Sequence, residues 1–204
     1  MRSVAATVAS ALAFGFASVP ASTAAEASAR QVVESTVADV LAVLQTDGLD
    51  VETRRTRIEG IAYARFDFET MGKLVLARNW KRFDPQQREQ FVSEFKRHLS
   101  RSYGTRIERY EQEQVDIIGE RAEQRGDMTV QTAIRGGQFD GIAIDYRLRN
   151  RGGTWRVIDV VIEGVSLVSN FRSQFKDIVS KEGPDALIAK LQEKNEGPAV
   201  AASE

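Results

Sequence analysis

Cysteine is absent from the 204 residues. That removes disulfides, thiolate nucleophiles, cysteine-ligated zinc or iron–sulfur clusters and the lipidated cysteine of a lipoprotein anchor. Histidine occurs once, as His98, which leaves no basis for a histidine-rich metal site. A surplus of one charge sign is missing as well: 28 Lys and Arg stand against 29 Asp and Glu, a formal charge of −1. A generic nucleic-acid binder would present a strong positive field instead. The sequence also lacks G-x-S-x-G, H-E-x-x-H, a phosphate-binding P-loop and a dinucleotide fingerprint, so no familiar catalytic or nucleotide motif is available.

What is present is an ordinary globular composition. The 42% hydrophobic content becomes about 47% once Gly is counted and Tyr removed, within the range of folded domains. The one long uncharged run is at the start. Met1 to Ala25 carries a single Arg2, continues without charge through Val4–Val19 and ends in Ser22-Thr23-Ala24-Ala25 ahead of Glu26. Basic, apolar, then small is the order of a secretory signal peptide. The run is too short and too diluted by Ala, Ser and Gly to span a bilayer comfortably. Thr23-Ala24-Ala25 and Ala27-Ser28-Ala29 both suit cleavage, placing the cut between residues 25 and 29, and one Arg rather than two points to Sec export. Residues 26–194 then form one domain, expected in the periplasm of a Gram-negative cell, and 195–204 form a disordered tail without periodicity.

Helical spacing of Val33, Val37, Val40, Leu41 and Leu44 predicts an amphipathic helix over Ala29–Gln45. Two more follow over Val51–Ala64 and Phe68–Arg78. Asp84-Pro85-Gln86-Gln87 combines an N-cap carboxylate, a Pro at the first helical position and a capping-box Gln, opening a helix whose core stripe is Phe91, Phe95 and Leu99. After Tyr110 the period changes to two. Val115/Ile117, Met128/Val130/Thr132/Ile134, Ile142/Ile144/Tyr146/Leu148 and Trp155–Ile162 predict four antiparallel strands, with Gly136-Gly137 and Gly152-Gly153 as turns. Helices return over Ser166–Ser180 and Pro184–Glu193. Helices, then a four-stranded meander, then helices give an α+β domain with the helices gathered on one face.

Few residues stand out as chemistry. His98 lies near the Phe91/Phe95 stripe without a carboxylate nearby in sequence and reads as a packing residue. Asp145 alternates with Ile144 and Tyr146 and faces away from them. Asp159 shares a two-residue register with Trp155, Val157 and Val161, a buried or rim position where a carboxylate can act as a general base. Arg outnumbers Lys 21 to 7. The stretches Arg54–Arg57 and Arg147–Arg151 could hold phosphate, but interspersed acids favour a solvated, ion-paired surface.

Two segments together carry a resemblance. Tyr63–Tyr110 contains Phe66-Asp67-Phe68-Glu69 and Asp84-Pro85-Gln86-Gln87-Arg88, and Trp155–Phe175 contains W-R-V-x-D-V-x-I-E-G-V-S-L-V and R-S-Q-F. In this order the chain resembles the MlaC family, periplasmic phospholipid-binding components of an intermembrane lipid transport system, also called the toluene-tolerance auxiliary family. The resemblance implies an NTF2-like sheet closed over by helices, an apolar pocket for acyl chains, and no cofactor beyond the bound phospholipid as cargo. It implies a monomer shuttling between an outer-membrane lipoprotein–porin complex and an inner-membrane ABC transporter with its substrate-binding ring protein. A hopanoid-associated subgroup makes a polycyclic lipid an alternative cargo. The candidate pocket residues are Leu74, Val75, Phe91, Phe95, Val130, Ile142, Ile144, Tyr146, Val157, Val161, Val165, Leu167, Phe171 and Phe175. An alternative of a different class is an NTF2-like enzyme using Asp159 and Tyr146 on a small hydrophobic substrate.

Overall fold

The structure, a computed structural model, describes residues 27–107 and 113–197. The expected signal peptide, the change of period at Tyr110 and the tail past Gly197 lie outside them. Six helices and five strands follow in order: α1 (Ala29–Leu44), α2 (Val51–Arg65), α3 (Phe68–Leu76), a 3-10 turn (Ala77–Arg82), α4 (Pro85–Ile107), β1 (Gln114–Ala122), β2 (Met128–Arg135), β3 (Ala143–Arg151), β4 (Thr154–Ile162), β5 (Val165–Ser166), α5 (Leu167–Glu182) and α6 (Pro184–Glu196).

The helix starts are written in the sequence. Ser28 and Gln31 form a reciprocal capping box, Asp50 accepts from the Thr53 amide and Asp67 from the Thr70 amide. Asp84 and Gln87 satisfy each other's amides at 2.8 and 3.0 Å, as the Asp-Pro-Gln-Gln motif predicts. Arginines from distant helices close two helix ends. Arg172 donates twice to the Leu74 carbonyl near the end of α3, and Arg82 donates to the Val179 carbonyl in the last turn of α5. Both place a cation where the helix dipole favours one, Arg82 at a carbonyl that also accepts the Gly183 amide.

The sheet is an antiparallel meander in the order β1-β2-β3-β4-β5. Four strands are the ones expected. The fifth, Val165–Ser166, pairs with Val161 and Ile162 across a two-residue turn, Glu163-Gly164, with both residues at positive φ. A strand of two residues leaves too little alternation to be read from sequence. Gly152 and Gly153, at φ 57° and 84°, form the loop between β3 and β4, where the right-handed strand twist demands positive φ at both positions.

Helices α1, α3 and α5 lie on the sheet, and α4 and α6 pack together behind them. Phe83, Phe91 and Phe95 meet Phe171 and Phe175 with ring centres 5.3–6.2 Å apart, mostly edge to face. This aromatic cluster is the densest part of the core. His98 stacks edgewise on Phe171 at 5.6 Å, in the packing role expected of it.

Two expectations fail on local geometry. Asn195 is not in a disordered tail: α6 runs on to Glu196, and Asn195 is fully buried, donating to the carbonyl and carboxylate of Glu94. A polar residue without apolar neighbours in sequence gave no period to detect. The single register assumed for β4 is also broken. Leu148 pairs with Val157 but Arg147 pairs with Asp159, so Ile158 is an extra residue in a β-bulge. Val157 and Val160 therefore share the helix-facing side, and Asp159 and Val161 turn to the other.

On that outer side Asp127 is completely buried and accepts three hydrogen bonds, from Arg147 at 2.9 Å and from Arg149 at 2.7 Å twice. Burial pushes its carboxyl up, but the bond and charge of Arg149, with those of Arg147, outweigh this and hold it below 3.8. His98 is shifted down from 6.5, first by burial and then by the Lys194 charge, with Asn195 opposing.

Asp127→Ala should lower unfolding stability by about 3 kcal/mol, because two guanidinium groups lose their acceptor; urea denaturation measures this. The pH dependence has a defined sign. Between its folded value and 6.5, His98 binds fewer protons in the native state than in the unfolded one, so stability falls as pH drops below about 6.5. The Asp127 contribution is complete above about pH 4 and is lost only as pH falls further toward its depressed folded value. His98→Gln should flatten the melting-temperature profile between about pH 5 and 7 and leave the more acidic limb in place.

Candidate functional site

Alternation along β2, β3 and β4 lays three cross-strand rows on the helix-facing side: Met128–Leu148–Val157, Val130–Tyr146–Val160 and Thr132–Ile144–Ile162. Val130, Leu148, Val157 and Val160 are buried in the core. Toward β3 and β4 in the last two rows the packing loosens: Tyr146, Ile144 and Ile162 are only half-buried, while Thr132 on β2 is fully buried. Thr132 does not make this end polar, since its hydroxyl donates to the Ile144 carbonyl at 2.6 Å.

Tyr146 defines the character of the place. Burial pushes its phenol up to about 12, yet the side chain keeps accessible surface. Among the described residues, its hydroxyl has no hydrogen-bond partner. The residue packs against the buried core while part of its surface stays accessible. Buried tyrosines ordinarily find a partner for the O–H; this one keeps accessible surface, and its cross-strand neighbours Val130 and Val160 are apolar.

Two hollows lie elsewhere among the described residues. A groove of about 450 Å³ runs between α1 and α2, lined by Val43, Gly60, Ile61 and Ala64 with Asp39, Arg57 and Arg65 at its sides. A cavity of about 330 Å³ opens beside β3 and β4, lined by Phe66, Asp67, Phe68, Arg149, Arg151, Thr154 and Arg156.

The expected pocket residues divide into three groups. Val75, Phe91, Phe95, Val130, Val157, Leu167, Phe171 and Phe175 are close-packed core. Leu74, Ile142, Ile144 and Tyr146 are half-buried, and Ile144 and Tyr146 belong to the less tightly packed end of the helix-facing rows. Val161 is half-buried on the opposite side of the sheet because of the bulge, and Val165 is 58% exposed on the edge strand. Ile162, Met128 and Ile117 belong with the half-buried apolar set. The bulges in β1 and β4 shift the two-residue period partway along those strands and obscured Ile117 and Ile162.

Asp159 and Tyr146 are not brought together. Asp159 pairs with Arg147 on the outer side, whereas Tyr146 pairs with Val160 on the helix-facing side. Asp159 is committed locally: its two oxygens accept from the Ser166 hydroxyl at 2.6 Å and the Val168 amide at 3.1 Å. The two arginine stretches behave differently. Arg55 pairs with Glu52 at the surface, as expected; Arg147 and Arg149 instead pair with the buried Asp127, and Arg151 and Arg156 line the 330 Å³ cavity. No group of three or more His, Asp or Glu among the described residues could hold a metal ion. No helix there is long and apolar enough to cross a membrane.

Comparison with known proteins gives a consistent picture. The family profile described as MlaC protein matches residues 34–193. The toluene tolerance protein ttg2D of Pseudomonas putida is 27% identical over 120 residues, spanning 58% of this chain and 56% of that protein. The intermembrane phospholipid transport system binding protein MlaC of Haemophilus influenzae is 25% identical over 177 residues, 84% of this chain and 82% of that one. A phospholipid-binding protein from Ralstonia solanacearum, solved in complex with a phospholipid, superposes with a TM-score of 0.75 at 27% identity, covering 83% of this chain and 97% of its own.

If the Tyr146 hydroxyl has no partner, removing it costs little. Tyr146→Phe should change unfolding stability by less than about 0.5 kcal/mol, while Tyr146→Ala, which removes the ring from its contacts, should cost about 3 kcal/mol. Chemical denaturation of the two variants tests the assignment.

Proposed function

This chain belongs to the MlaC family, and from that premise we propose that it is a periplasmic carrier that holds a phospholipid by its acyl chains in the cleft beneath Ile144, Tyr146 and Ile162. The observation that carries the reading is the apolar, half-buried end of the helix-facing sheet side at Ile144, Tyr146 and Ile162. Its support is the Ralstonia relative, which shares the fold and was solved with a phospholipid. The NTF2-like description and enclosure of the pocket by the helices belong to the same proposal.

The energetics suit a carrier. At about 0.8 kcal/mol per methylene, exposing the roughly thirty methylenes of a two-chain lipid to water costs about 24 kcal/mol. An apolar cleft that replaces the bilayer makes transfer nearly neutral, so direction must be supplied by partners. We assign those roles to an outer-membrane lipoprotein–porin complex and to an inner-membrane ABC transporter with its ring protein. Because most of the transfer free energy lies in the chains, a polycyclic lipid such as a hopanoid is the alternative cargo. A carrier is favoured over an enzyme because Asp159 and Tyr146 lie on opposite sides of the sheet and the Asp159 carboxylate is occupied by Ser166 and Val168.

Protein purified from the periplasm should carry about one two-chain lipid per chain, seen by native mass spectrometry and identified in an organic extract. Only the bare polypeptide mass, before and after incubation with vesicles, would sink the proposal. Ile144→Asp should reduce loading by an order of magnitude or more, since a carboxylate in the cleft costs several kcal/mol. Asp145→Ala, one residue away and on the other side, should load like the unaltered protein. Circular dichroism of both variants establishes that they are folded.

A further inference from the structure

The cavity beside β3 and β4 lies on the outer side of the sheet, away from the cleft. Arg149 and Arg156 are directly paired across the two strands, and Arg151 faces Thr154 one step along. Like charges directly opposite on adjacent strands repel and destabilise the pair. Protein acids answer this repulsion at Arg149 but not at Arg151 or Arg156. Asp127 takes the Nε and one Nη of Arg149. Both oxygens of Asp67 are bonded to Thr70, at 2.8 and 2.6 Å. Among the described residues, Arg151 and Arg156 have no ion-pair partner, whereas seven other arginines do. Three guanidinium groups and one carboxylate line the space, and with Arg149 neutralised by Asp127 a surplus of one positive charge remains there, carried by the two unpaired arginines.

We propose that this cavity binds a phosphomonoester group. The two charges of the group meet the two unpaired guanidinium groups, and its oxygens can take forked hydrogen bonds from more than one of them, which a single carboxylate does less well. Arg149 is held in place by a buried acid and forms a fixed wall, while the exposed Arg151 and Arg156 close on the ligand. At about 330 Å³ the cavity exceeds a phosphate group alone, and the stacked rings of Phe66 and Phe68, 5.7 Å apart, offer an apolar wall to a small organic body. The same headgroup chemistry occurs in a soluble phosphomonoester and at the surface of a membrane containing phosphatidic acid.

The test uses the purified protein at constant ionic strength near neutral pH. Glycerol 3-phosphate is titrated in thermal melts and by calorimetry, and flotation uses phosphatidylcholine vesicles with and without phosphatidic acid. A saturable rise in melting temperature with glycerol 3-phosphate, not reproduced by acetate or sulfate, supports the soluble source. Binding only to vesicles that contain phosphatidic acid supports the membrane source. In either case Arg151→Gln/Arg156→Gln should weaken binding by about tenfold or more and leave phospholipid loading of the cleft unchanged. Without ligand this double variant should melt at the same temperature or higher, having lost only repulsion. Arg151→Lys/Arg156→Lys keeps the charge without the fork and should bind with intermediate affinity. No binding in either format, binding undiminished in the Gln variant, or an equal response to acetate and sulfate would overturn the site. Because lipid loading is read separately, failure here is distinct from failure of the carrier proposal.

Discussion

One extra residue in β4 organises both sides of the sheet. Ile158 is fully buried at the bulge, and its insertion places Val157 and Val160 on the helix-facing side while turning Asp159 outward. Without it, a strict two-residue alternation would put Asp159 beside Val157 in the core, where an unpaired carboxylate is costly. With it, Asp159 reaches the start of α5 and takes the Val168 amide and the Ser166 hydroxyl. Ser166 in turn accepts from the Ser169 amide as the helix N-cap. Sheet register, the short fifth strand and the position of α5 are thus tied through one carboxylate. The motif D-V-x-I-E-G-V-S-L-V is the run of residues that performs this: acid, strand, two-residue turn, strand, cap and helix.

The two ends of the helix-facing side do different work. Around Phe91, Phe95, Phe171 and Phe175 the rings interlock and leave nothing accessible. Toward Ile144 and Ile162 the same sheet side stays apolar but half-buried. The outer side carries the charge, with Asp127 and its arginines giving way to the unpaired Arg151 and Arg156 farther along. A sheet that is apolar on one side and cationic on the other, with the sides separated only by the thickness of a strand, can present hydrocarbon and anion contacts without either disturbing the other.

Much of this was legible in the residues. All six helices were readable from period and caps, because Asp50, Asp67, Asp84 and Ser166 are N-caps and Pro85 and Pro184 sit where a missing amide costs nothing. The four long strands were readable from alternation and from Gly152-Gly153. The bulges were not, since an inserted residue in a strand apolar on both sides, such as Trp155–Ile162, leaves the pattern unchanged. That is why Val157 and Val161 looked like neighbours and why Asp159 looked like a partner for Tyr146. The aromatic residues drew attention as pocket candidates because composition cannot distinguish a ring that fills space from one that lines it. Asp127 went unnoticed, for its partners Arg147 and Arg149 lie a strand away.

Separating the packed end from the open end has a thermodynamic consequence for a carrier. A protein that loads and unloads must remain folded when its cargo leaves, so its stability cannot reside in contacts that the cargo replaces. Buried apolar area contributes roughly 25 cal/mol per Å², and here the fully buried large side chains include Phe83, Phe91, Phe95, Met71 and Leu148, none of which is among the half-buried residues at the Ile144–Ile162 end. The residues of the cleft keep part of their surface and contribute less to folding than their size allows. That uncollected burial is the free energy available to a hydrocarbon chain. It is also limited, because a cleft that bound its lipid far more tightly than a bilayer does could not hand it on.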